Sequence, residues 1–147
     1  MRRLFDTRHE IERDGADHFF GERAHLANPS IDLKTHIEDV LGVLEFEDLR
    51  DVVLLGHSYG GMVATGVADR ARARIAHLIY LDAFVPKDGE SLFDLVPEEQ
   101  RKRQQASAAA GDGWRIAPNP TPDDTSAEDQ AWIANKRLPH PLKSMET

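Results

Sequence analysis

The residue types with the clearest chemical potential lie together in Gly56-His57-Ser58-Tyr59-Gly60-Gly61. A Gly-x-Ser-x-Gly pattern places its serine on a sharp strand-to-helix turn, with the backbone strained and the hydroxyl exposed. Flanking glycines are expected on steric grounds, because a side chain at position 56 or 60 would collide with the neighbouring strand or helix. The helix that follows aims its N-terminal N–H groups at negative charge developing beside the serine. The 147 residues contain no cysteine, which excludes disulfides, thiolate metal sites and Cys nucleophiles. Covalent chemistry is left to Ser, Thr, Lys or a carboxylate, and Ser58 is the candidate nucleophile.

Other titratable residues are weighed against that serine. His57 is its direct neighbour, and neighbours on such a turn point apart, so a general-base contact is not expected from it. His77 falls inside an apolar run and reads as a packed or sheet-edge histidine, whereas His36 sits on the polar side of a helix pattern and reads as solvent-exposed. Asp82 closes the apolar run after the elbow helix, where the carboxyl ends of parallel strands gather around a site. It is a candidate acid, with a turn-bonding carboxylate as the alternative. His140, downstream of Ser58, is the candidate base, with a loop or interface histidine as the alternative. No metal-ligand spacing occurs, and the glycine turn lacks the Lys and Ser/Thr of a phosphate-binding loop and the spacing of G-x-G-x-x-G. Neither a cofactor nor a metal is expected.

The elements that must position these residues follow from periodicity. Asp32 is a plausible N-cap, and Ile37, Val40, Leu41 and Leu44 recur at i, i+3, i+4 and i+7, which predicts an amphipathic helix over 33–44. Val52-Val53-Leu54-Leu55 is a continuous apolar run and predicts a parallel strand buried on both faces. The small-residue segment 62–70 predicts a helix packed closely on a sheet, and 75–81 predicts a second strand, so 52–82 reads as one β-α-β unit. Pro97-Glu98-Glu99 opens a polar helix that Gly111-Asp112-Gly113 stops near Ala110. Pro118 to Asp124 is a turn-rich connector, and Ser126 with Asp129 caps a helix containing Ala131, Trp132 and Ile133. Nothing after Asp82 reads as a buried strand. The division is a poorly patterned segment 1–30, an α/β core 31–86 and a helical segment 87–147.

Composition narrows the function classes. Eighteen Lys+Arg against 26 Asp+Glu give a formal net charge of −8, which argues against nucleic acid as partner, since that needs clustered positive charge. Arg70, Arg72 and Arg74, and Arg101-Lys102-Arg103, read as solvated helix ends. The longest aliphatic run, Val52–Leu55, is far below the ~20 residues of a membrane span. Met1-Arg2-Arg3-Leu4 is followed by charged residues and not by an apolar stretch, so a cytoplasmic chain without a membrane partner is expected.

Leu54-Leu55-Gly56-His57-Ser58-Tyr59-Gly60-Gly61-Met62, with Ile75-Ala76-His77-Leu78-Ile79-Tyr80-Leu81-Asp82-Ala83-Phe84-Val85-Pro86, resembles the α/β-hydrolase superfamily. The closest likeness is to its branch of small carboxylesterases, plant methylesterases and hydroxynitrile lyases. The likeness starts near Gly21-Glu22-Arg23-Ala24-His25-Leu26, runs with decreasing specificity to His140-Pro141-Leu142, and covers about four-fifths of the chain. It implies a partial α/β-hydrolase fold: a short parallel sheet flanked by helices, with 87–147 as a helical cap. It also implies Ser58 as nucleophile and the backbone N–H of Tyr59 as one oxyanion donor. The family's second donor lies in a His-Gly loop upstream, and no such loop is seen before Gly21. The triad acid and base follow later strands, so the chain is expected to be a middle portion of such a hydrolase. Some hydrolases place the acid at the Asp82 position, although the branch resembled here places it later. His140 falls at the cap's return. Phe84, Phe93 and Trp132 would line a pocket if the cap folds over Ser58.

Two readings follow. In the first, Ser58 attacks a small ester, with a histidine as base and an oxyanion held by the Tyr59 N–H and another donor. In the second, the chain is a truncated, non-catalytic fragment, a binding or assembly module that dimerises through exposed sheet edges. A mean hydropathy of −0.51 and 30% charged residues favour the second mildly, because they leave less apolar mass than a complete buried sheet uses.

Overall fold

The computed structural model describes residues 24–134 and 136–147. Most of the 1–30 segment therefore lies outside the described residues; what remains of it is a 3₁₀ turn at Ala24–Leu26 and an Asn28–Ser30 turn leading into the first helix.

Helix α1 spans Leu33–Phe46. Asp32 caps it as expected: its carboxylate accepts from Thr35 N at 2.9 Å, and its own backbone N–H donates to Thr35 Oγ1 at 3.4 Å. Two orphan donors are thereby satisfied. Lys143, near the far end of the chain, reaches back to the Asp32 carboxylate at 3.5 Å and to Ser30 O at 3.3 Å. Asp32→Ala is expected to lower stability by ~1 kcal/mol, read as a reduced urea midpoint with an unchanged slope.

Strand β1, Val52–Ser58, runs into helix α2, Gly60–Arg70, which returns to strand β2, Ile75–Ala83. The strands are parallel, with Val53 opposite His77, Leu55 opposite Ile79 and His57 opposite Leu81. The β-α-β unit is as the periodicity predicted, except that β1 extends to the serine itself. Burial on both faces is not observed. Val53, Leu55, Ile79 and Leu81 are 42–56% exposed, while Val52 and Leu54 pack inward. The reason is the period of two along a strand: α1 and α2 cover one face, and the described residues leave the other open.

The C-terminal third is helical with one addition. Helix α3, Leu92–Leu95, is capped by Ser91, whose N–H and hydroxyl both donate to Asp94. Helix α4, Glu98–Ala110, ends at Gly111 as expected. Strand β3, Arg115–Ile116, pairs antiparallel with β4, His140–Pro141, a two-residue ladder too short for periodicity to register. Between them lies helix α5, Ala127–Ala134, where Ser126 and Asp129 make the predicted capping contacts. Helix α6, Lys143–Glu146, closes the chain. One core joins these parts: Leu44 of α1, Met62, Val63 and Val67 of α2, Leu92 and Phe93 of α3, Ala108 of α4, Ile116 of β3 and Met145 of α6. Among the described residues no helix is long and apolar enough to cross a membrane.

Candidate active site

Ser58 is the last residue of β1 and adopts φ +51°. That left-handed backbone is unfavourable for a residue with a Cβ by ~1–2 kcal/mol, and it persists only where the surroundings over-determine it. Three contacts do so. A Cβ on Gly56 would stand 2.7 Å from Gly60 O and 2.9 Å from Gly61 Cα. A Cβ on Gly61 would stand 2.2 Å from Phe84 O and 2.9 Å from Ala83 Cβ. Phe84 N donates to Ser58 O at 3.0 Å, tying the elbow to the end of β2. Gly60 departs from expectation, since a Cβ there meets no heavy atom within 4 Å. The close approach falls to Gly56 and Gly61, because the Gly60 backbone faces Gly56 while the Cβ direction at position 60 is open.

β2 bends at the same level. Pairing runs from His57–Leu81 to Ser58–Ala83, so Asp82 is the extra residue of a β-bulge, with φ +43°. A bulge at this point re-aims a side chain beside the elbow. Asp82 is exposed, and no described histidine is hydrogen-bonded to it. The Ser58 hydroxyl likewise has no hydrogen-bond partner among the described residues, and the first N–H groups of α2 begin beside it.

Tyr59 points the other way, into the core, and is 4% exposed. Its phenol shares a 2.7 Å hydrogen bond with His36 Nδ1. The His140 ring meets it edge to face at 4.6 Å between centroids, and His36 and His140 lie 5.8 Å apart. Ser144 Oγ donates to Pro141 O at 2.8 Å. Having spent its proton there, the hydroxyl accepts from His140 Nε2 at 2.7 Å, which fixes the protonated nitrogen of that ring. Burial drives the His36 imidazole down to about 4 against the opposing pull of Asp32. Burial, with His36 as a like charge, drives His140 down to about 3. Both rings are neutral at pH 7. Burial also pushes the Tyr59 phenol well above its usual value.

The structure therefore separates the sequence-derived candidates. Gly56, Ser58, Tyr59 and Asp82 meet at the elbow. His140 is brought to Tyr59 and Ser144 and not to the Ser58 hydroxyl. His36, expected on the solvent side of α1, is 1% exposed; its ring turns inward because the Tyr59 hydroxyl offers a polar partner inside the core. His57 and His77 are exposed on the open face of the sheet. Phe93 is buried in the core and Phe84 packs against it. Trp132 is 64% exposed and holds Lys136 Nζ 4.5 Å over its ring, so the three aromatic residues do not line one pocket. Sequence reading missed Ser144, whose one signal is the i, i+4 spacing from His140. Among the described residues no group of His, Asp and Glu is arranged to hold a metal ion.

Comparison with known proteins agrees with this geometry. A profile of the alpha/beta hydrolase family matches residues 6–146. A carbendazim hydrolyzing esterase from Nocardioides sp. (strain SG-4G) is 44% identical over 135 residues, covering 86% of this chain and 56% of that protein. Among solved structures, an extracellular alpha/beta-hydrolase from a Paenibacillus species, described as sharing structural and functional homology with tobacco salicylic acid binding protein 2, superposes with TM-score 0.70 at 27% identity. It covers 80% of this chain and 51% of its own. The chain thus spans about half the length of these relatives. With a strand, a left-handed serine and a helix in the family's order, and a profile match over nearly its whole length, the chain belongs to the alpha/beta hydrolase family.

Proposed function

We propose that this chain carries the nucleophile portion of a serine esterase acting on a small ester. The observation that supports the reading is the Ser58 backbone at φ +51° between β1 and α2, a strained conformation that presents the hydroxyl at the strand-to-helix turn. Ser58 Oγ attacks the ester carbonyl, its proton passes to a histidine, and the tetrahedral oxyanion is received by the Tyr59 backbone N–H. Collapse expels the alcohol, which takes the proton back, and water then hydrolyses the acyl-serine. Asp82, on the bulge beside the elbow, is retained as the acid. His140, engaged with Ser144 and Tyr59, is not assigned as that base. A relative named as an esterase, 44% identical, supports an ester as substrate.

The test is burst hydrolysis of p-nitrophenyl acetate, with intact-mass detection of the acyl adduct and peptide mapping. An adduct mapping to Ser58 and lost in Ser58→Ala is the expected result. Equal background rates in both proteins, with no adduct, would overturn it. A second reading, an assembly module without turnover, is supported by the exposed Val53, Leu55, Ile79 and Leu81 face. It requires a concentration-dependent dimer in sedimentation that Leu55→Lys dissolves.

A further inference from the structure

The buried polar groups behind the elbow are unused by the chemistry above, and they converge on one side chain. Tyr59 is the residue after the nucleophile and the entry residue of α2, with φ −56° and ψ −30° and no side-chain cap of its own. Its orientation is instead held through its ring. His36 comes from α1, 23 positions away, His140 from β4, and Ser144 from α6, so three elements distant in sequence grip one phenol. Each grip is directional: a 2.7 Å hydrogen bond at the hydroxyl, an edge-to-face ring contact at 75°, and a Ser144 hydroxyl that locks the His140 ring while anchored to Pro141 O. Such a network of directional contacts narrows the geometries open to the ring.

We propose that His36, His140 and Ser144 are positioning residues that act through the Tyr59 ring to hold the Ser58 hydroxyl and the Tyr59 N–H in their reactive geometry. The C-terminal segment is thereby coupled to the nucleophile without touching it. The proposal rests on the reading of Ser58 as nucleophile for its catalytic consequence, while its structural part stands by itself.

Two amides report the elbow directly: Met62 N donates to Tyr59 O at 2.9 Å, and Phe84 N donates to Ser58 O at 3.0 Å. Ala71 N, bonded to Val67 O at the far end of α2, is the internal control. Hydrogen exchange of the full chain is compared for wild type, Tyr59→Phe and Ser144→Ala, alongside the rate of labelling by a fluorophosphonate. Loss of one buried hydrogen bond is expected to accelerate exchange at Met62 and Phe84 by ~10-fold, leaving Ala71 unchanged, and to slow labelling by a similar factor. Ser144→Ala should in addition shift the His140 Nε2–H resonance, a signature that general loosening does not produce. If all three amides accelerate together, or none moves, the positioning role is overturned. If wild type is not labelled but the two elbow amides respond, the nucleophile reading fails and the positioning of the elbow stands.

Discussion

Gly61→Ala is expected to destabilise the protein by ~3 kcal/mol or more, the upper range for overpacking, and to abolish any chemistry at Ser58. The new methyl carbon would stand 2.2 Å from Phe84 O and 3.1 Å from Phe84 C. Both are backbone atoms, and Phe84 is held by its hydrogen bond to Ser58 O, so neither can yield as a flexible side chain would. Gly56→Ala meets the same obstacle at Gly60 O, 2.7 Å away, and a loss of similar size follows. Gly60→Ala is the contrasting case. With no atom within 4 Å of the added carbon and no positive φ at Gly60, it should be close to neutral. Urea midpoints of the three variants decide the matter. A Gly60→Ala protein as damaged as Gly61→Ala would refute this account of the elbow.

Acid should destabilise the fold well before most carboxylates titrate. His36 and His140 are held neutral, down to about 4 and about 3, chiefly by burial, whereas a histidine in the unfolded chain titrates near ~6.5. Below that pH the unfolded chain binds protons that the folded chain refuses. The stability from these rings is therefore complete above pH ~6.5 and is lost as pH falls toward their folded values, at ~1.4 kcal/mol per pH unit for each ring. Among the described residues the Tyr59 phenol, the Ser144 hydroxyl and the Asp32 carboxylate act on them. Burial raises the Asp32 pKa, but the Thr35 hydrogen bonds and Lys143 outweigh it and hold the carboxyl below its usual range, so Asp32 stays ionised through the window. Urea unfolding at pH 7, 6 and 5 should show the wild-type slope reduced by ~1.4 kcal/mol per unit in His36→Gln. Parallel curves for the two proteins would mean that the imidazole is not buried neutral.

What could be read along the chain was whatever short-range geometry carries. The helix predicted over 33–44, observed to run on to Phe46, was legible because Asp32 and the Ile37–Leu44 stripe lie within a few turns of one another. The β-α-β unit was legible because an apolar run, a glycine turn and a small-residue helix follow in order, and the Ser126–Asp129 cap for the same reason. The β3–β4 ladder was not, since two-residue strands separated by more than twenty residues have no period of their own. The open face of β1 was not either: Val52–Leu55 is equally apolar on both sides, and only the placement of α1 and α2 on one side distinguishes them.

The candidate site divides along the same line. Gly56, Ser58 and the elbow, and with them the family, were legible in local sequence, because the Gly-x-Ser-x-Gly pattern and the strand and helix that flank it are contiguous. Which glycine bears the close approach was decided by tertiary structure, since it depends on Phe84 O arriving from β2. So were the burial of His36, the bulge at Asp82 and the engagement of His140 with Tyr59 and Ser144. These groups lie 23 to 85 positions from the tyrosine they surround, and a polar side chain is buried or exposed according to the partner that folding brings to it, which no local pattern encodes.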